Sequence, residues 1–123
     1  MSTEILYHGT NGDNILGILA ARAIRPGADF KIYFSPHRWE SALMHGGDRR
    51  RMASFVIKVR VEVPDDVVRT REVTAGVPDA LVFHTRKPLQ ADVLELHVRK
   101  PVDGGFEFAH VVGAAAIKTL LSA

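Results

Sequence analysis

The 123-residue sequence contains no cysteine, which excludes a disulfide framework, a thiolate metal site and a cysteine nucleophile together. The absence is compatible with the cytoplasm and says nothing further about redox compartment. No run approaches the roughly 20 consecutive apolar residues that span a bilayer. The opening MSTEILYHG lacks the basic flank and apolar stretch of a signal peptide, so the expectation is a cytoplasmic protein with no membrane partner. Neither G-x-G-x-x-G after a strand nor G-x-x-x-x-G-K-[ST] occurs, which removes the two familiar glycine-rich phosphate cradles. Six histidines are present, at positions 8, 37, 45, 84, 97 and 110, but none forms H-E-x-x-H or pairs closely with acidic residues, and no metal site is expected. No G-x-S-x-G frames a serine nucleophile. Internal repeats and low-complexity segments are also missing.

What is present suffices for one domain spanning residues 1–123. A hydrophobic content of 46% allows a modest core. The formal charge of +2 is too small to announce a nucleic-acid binder from its overall field. One local basic patch stands out, Arg49-Arg50-Arg51 with His45 and Arg38, and a run of this kind ordinarily faces water.

Hydrophobic periodicity organises the chain. Ile5–Tyr7 reads as a short strand ended by Gly9 and Asn11-Gly12, and Asp13 as the N-cap of a helix. Ile15, Ile18, Leu19 and Ala23 then recur at helical spacing until Arg25-Pro26-Gly27. Lys31–Ser35 reads as a second strand and Trp39–Met44 as a second helix. From Ala53 to Val63 the residues alternate, with Phe55, Ile57, Val59, Val61 and Val63 on one face and Lys58, Arg60 and Glu62 on the other. Residues 64–78, polar and of weak periodicity, read as a long connection with room for a short strand or helix whose place the pattern does not fix. Strands follow at Ala80–His84, Val93–Val98 and Phe106–Val112, separated by turns at Pro88 and at Pro101–Gly105, and Ala114–Leu121 closes the chain as a helical turn. Early helices followed by alternating strands predict an α+β domain with a mixed or antiparallel sheet.

Three segments on these strands or at their edges combine residues with chemical uses: YHGT at 7–10, IYFS at 32–35 and GFEF at 105–108. Taken singly, each has an ordinary structural reading, with His8 at a strand end, Tyr33 a half-buried strand aromatic and Glu107 a solvent-facing strand residue. His97 and His110 read as satisfied structural histidines.

Together the three segments resemble the ADP-ribosyltransferases of the diphtheria-toxin and PARP branch, whose signature is a histidine, a tyrosine and a glutamate on three core strands. His8-Gly9-Thr10 is similar to that family's H-G-[ST], followed by a helix of I-x-x-I-L character. IYFS resembles the tyrosine strand of small bacterial rifamycin ADP-ribosyltransferases. FEFAHVVGAAAIKTLL resembles the PARP-type N-E-Y-I-V-Y-D segment and its K-x-L-L tail, selecting Glu107 and not Glu95. Residues 64–92 have no counterpart.

The resemblance implies an ADP-ribosyltransferase-like split sheet in a small bacterial or phage-type, toxin-like domain. The activity implied is mono-ADP-ribosyl transfer, with NAD as substrate and a protein, nucleic acid or antibiotic-like small molecule as acceptor. Under this pattern Glu107 bonds a ribose hydroxyl and is favoured as oxocarbenium charge develops. Tyr33 stacks on the cationic nicotinamide, Gly9 and Ser35 hold its amide, and His8, supported by Thr10, binds the adenosine-side ribose. Trp39 and Tyr7 are candidates for a second stacking aromatic. Two alternatives stay open. One is an NAD-dependent RNA 2′-phosphotransferase using Arg22, Arg38 and Arg49–Arg51, and the other is a non-catalytic nucleic-acid-binding module on the same fold.

Overall fold

The computed structural model describes residues 1–44, 53–74 and 77–122, which form two antiparallel sheets and three short helices. His45 and Arg49–Arg51 lie outside the described residues. The first strand, β1 (Ser2–Thr10), is longer than its apolar centre predicts, because Gly9 continues the ladder opposite Val56 instead of ending it. Helix α1 (Gly12–Ala21) follows. Its N-cap is Asn11, not Asp13, and the cap makes no side-chain hydrogen bond within the helix. The Asn11 side-chain oxygen instead accepts the Ser54 amide at 3.3 Å. Asp13 lies in the first turn, where its charge suits the positive end of the helix dipole.

The helix also stops before Arg25-Pro26-Gly27. Arg22 takes a left-handed conformation with φ of 52°, an uncommon state for a residue with a side chain. Two contacts hold it there: its guanidinium donates to Asp92 at 2.7 Å and its carbonyl accepts the Ala91 amide at 2.9 Å. Ala23 consequently belongs to the two-residue β2 (Ala23–Ile24), not to the helix.

Strand β3 (Lys31–Phe34) and helix α2 (Trp39–Ala42) fall close to their expected places. In β4 (Phe55–Val63) the expected alternation holds at Ile57, Val59, Val61 and Val63, all buried. Val56 departs from it. It is fully buried on the other face, packed with Ala42 of α2 and the following Leu43 and flanked by Tyr7 and Trp39.

The stretch after Val63, read as a connection with room for a short strand, is mostly strand. Here β5 (Val68–Thr74) and β6 (Val77–His84) form an antiparallel pair. Strand β7 (Leu89–Val102) runs through Pro101, and the turn before β8 (Gly105–Val112) shrinks to Asp103-Gly104, with Gly104 at φ 85° as glycine permits. Helix α3 (Ala114–Leu121) matches its expected span.

Strands β1, β4 and β7 lie side by side, and β2 and β8 both pair with the remaining side of β7. The second sheet has the order β3-β6-β5. The two are tied where Tyr7 and Ser35 exchange main-chain hydrogen bonds, each 2.9 Å. One apolar core lies between them. Leu6, Ile57, Val59 and Leu96 come from the first sheet, Ile32, Phe34 and Phe83 from the second, and Ile15, Ile18 and Ile117 from helices α1 and α3. The Phe34 and Phe83 rings meet at 5.0 Å between centroids, and full burial of a ring of this size is worth about 2–3 kcal/mol. The sequence expectation of an α+β domain with a mixed or antiparallel sheet therefore holds, the strand pairs among the described residues being antiparallel.

Candidate functional site

The junction of the two sheets gathers five of the six residues singled out above. On β1, Leu6, His8 and Thr10 alternate toward the interior, and His8 stands opposite Ile57. The His8 ring lies 5.4 Å from that of Phe34, and its Nδ1 is 2.8 Å from the carbonyl oxygen of Tyr33. A carbonyl only accepts, so Nδ1 carries the hydrogen of this bond, and in the neutral ring Nε2 is then the acceptor nitrogen. The tautomer is thus set by the main chain of the neighbouring sheet.

Beside His8 opens a cleft of about 430 Å³ whose lining includes His8, Thr10, Asp13, Asn14, Arg25 and Gly27. It lies between the end of β1, helix α1 and the segment after β2. Thr10 is buried at its edge. Polar side chains and one arginine around a concave surface suit a ligand with hydroxyl and anionic groups.

Tyr33 projects from β3 on the face opposite the buried Ile32 and Phe34. Its phenol is held above the usual tyrosine range, first by burial and next by the nearby Glu72 carboxylate, with Asp29 adding to the rise and Lys31 opposing it. Ser35 is fully buried, and its Oγ has no hydrogen-bond partner among the described residues. An unsatisfied buried hydroxyl is uncommon and costs free energy.

Glu107 is not brought to this junction. It is exposed on β8, opposite Lys100. The register runs from His8 to Ile57, Leu96 and Val111 across the sheet, and Glu107 lies four residues further along β8. Three strand steps of about 4.8 Å and four residues of about 3.4 Å separate the two positions along the sheet.

Two features of the structure escape a reading of the sequence. One is Glu72, whose strand β5 lies in the stretch of weak periodicity; the β-branched residues of VRTREVT are the signal that could have found it. The other is a stack of rings on the outer face of the larger sheet. Trp39 lies 4.3 Å from His97 at 7° between planes, and His97 lies 4.3 Å from His110 at 4°. Phe108 meets the edge of Trp39 at 4.9 Å. His110 Nε2 is 2.8 Å from Glu95, whose other oxygen accepts from Lys58 at 2.9 Å. The Lys58 hydrogen bond, with help from His110, holds the Glu95 carboxyl below its usual range against the effect of burial. Burial first, and then the neighbouring His110, depress the His97 imidazole. Trp39 is thereby engaged in this stack. Comparison with known proteins gives no match to any family model, to any curated protein or to any solved structure.

Proposed function

We propose that the chain is an NAD-dependent mono-ADP-ribosyltransferase that breaks the nicotinamide–ribose bond and passes ADP-ribose to an acceptor nucleophile. The observation that carries this reading is the His8–Tyr33 junction. A strand-end histidine with a fixed tautomer sits on the rim of a polar cleft, and its hydrogen-bond partner is the main chain of the very residue whose ring suits a cationic nicotinamide. His8 and Thr10 receive the adenosine-side ribose and Arg25 meets the negative diphosphate, all three lining the cleft. Cleavage raises positive charge on the ribose, so groups that bind this charge better than the ground state lower the barrier.

The class of acceptor is left to loop chemistry, which varies independently of a strand core. The test is incubation with NAD and candidate acceptors, following nicotinamide release and adduct mass. The wild type is expected to release nicotinamide, and His8→Ala to lose at least tenfold in NAD affinity with an unchanged far-ultraviolet spectrum. A wild type that neither binds nor consumes NAD overturns the reading.

A further inference from the structure

Sheet pairing leaves a notch along one side of β7. Strand β2 pairs with Leu89 and Gln90 and β8 with residues 95–102, so residues 91–94 have no strand beside them there among the described residues. Main chain closes the two ends of this gap. The Ala91 amide donates to the Arg22 carbonyl at 2.9 Å, and the Leu94 carbonyl accepts the Gly113 amide at 3.0 Å. At the gap opens a further cleft of about 500 Å³. Helix α1 borders both clefts: Ile18 lines the two, Asn14, Gly17 and Ala21 belong to the one beside His8, and Leu19 and Arg22 belong to the one at the notch.

The lining of the notch combines two kinds of residue. Leu19, Ala91 and Val93, buried or half-buried, give it an apolar wall, whereas Arg22, Arg60 and Lys118 are exposed around it. Asp92 is the carboxylate of the lining, so positive charge is in excess. That carboxylate does not neutralise Arg60. Asp92 stands opposite Arg60 in the ladder of β4 and β7, where a cross-strand ion pair would form readily. Its Oδ1 instead accepts from Arg22, from Nε at 2.9 Å and from Nη2 at 2.7 Å. Arg60 and Lys118 make no ion pair among the described residues.

Arg22 reaches Asp92 from its left-handed backbone, at a helix end where glycine is the usual residue. Backbone strain of this kind persists only where the surroundings fix it, and it concentrates at ligand sites. Here its effect is to occupy Asp92 and leave the Arg60 guanidinium available.

We infer that the notch is a second binding site, for an organic anion with a single charged head and an apolar body, of which a medium-chain carboxylate is the simplest. The head meets Arg60 and Lys118, and a guanidinium offers a carboxylate two parallel donors. The body lies along Leu19, Ala91 and Val93 and leaves water there. Asp92 in the same lining disfavours a second negative charge on the ligand. An apolar cleft of this volume with a few placed charges has the ordinary dimensions of a small-molecule site. Neither His8 nor Tyr33 lines it, so the site does not depend on the NAD reading.

Calorimetric titration of the intact chain with octanoate, acetate and octanol separates the head from the body. Octanoate is expected to bind at least tenfold more tightly than either of the others. The double variant Arg60→Gln, Lys118→Gln changes two exposed side chains and should lose at least tenfold in octanoate affinity, with octanol binding and the urea midpoint unchanged. Arg22→Gly suits the left-handed backbone and releases Asp92 toward Arg60, so it should weaken octanoate severalfold. Ala114→Phe fills the cleft from an exposed position on α3 and should weaken octanoate and octanol together. Equal affinity for octanoate and octanol, an undiminished octanoate affinity in the double variant, or a wild type that binds none of the three compounds overturns the inference. A loss of NAD affinity in the double variant also overturns it, because the notch would then belong to the NAD cleft.

Discussion

The two polar regions of this protein are held in place by different means. At the junction of the sheets, His8 is oriented by a main-chain carbonyl, and Tyr7 and Ser35 are joined through their backbones. On the outer face, Trp39, His97, His110, Glu95 and Lys58 hold one another through rings and charges. The first arrangement leaves side chains to be changed without dismantling the fold. The second makes each side chain part of the fold's stability. A backbone-held constellation suits a ligand site, because its geometry survives when one side chain is lost, whereas a mutually held stack suits a clamp between α2 and the sheet.

The largest expected effect erases the distinction. Phe34 is fully buried between His8 and Phe83, and Phe34→Ala should cost about 3–5 kcal/mol in urea unfolding and disturb both sheets. A loss below about 1 kcal/mol would show that the smaller sheet docks without this ring. Next comes Trp39→Ala, expected to cost about 2 kcal/mol because it removes ring contacts with His97 and Phe108 and packing beside Val56. Its NAD affinity should stay close to that of wild type, the reverse of His8→Ala. If Trp39→Ala also abolished NAD binding, the stack would belong to the ligand site and the contrast would fail.

The smallest effect is one of pH. The folded-state pKa of His97 is lowered by burial and by His110, while Glu95 and Glu40 pull it the other way. The unfolded chain therefore takes up a proton here more readily than the native protein. The neutral-ring contribution is intact above about pH 6.5, the ordinary histidine value, and declines as pH falls below it toward the depressed native pKa. His97→Phe keeps a flat ring without titrating, so its stability should fall less than wild type between pH 7.5 and 5.5 in chemical denaturation. Equal slopes would mean that His97 is hydrated in the native state.

Much of this fold is legible in periodicity. Ile57, Val59, Val61 and Val63 announced β4, and Ala114–Leu121 was found to the residue. The misses have physical causes. Arg22 ended α1 through an ion pair with Asp92, seventy residues away, which no local pattern encodes. Strand β5 carries charge at Arg69, Arg71 and Glu72 and exposes much of its surface, so its alternation is polar and hides in hydropathy. His8, Tyr33 and Ser35 stand out in the sequence because they occur in short motifs, and the structure places them at the junction of the sheets. Glu72 does not, since its place beside Tyr33 depends on the pairing of β5 with β6 and of β6 with β3.

Strand β8 pairs only with β7 among the described residues, and it exposes Phe106, Phe108 and Val112. A strand with one free edge and aromatic side chains is a template on which another copy of the chain could add itself. Glu107 lies between the two phenylalanines, and its negative charge would meet its own counterpart in such a self-association. A charge set between exposed apolar residues on a strand edge is the kind of placement that disfavours edge-to-edge pairing.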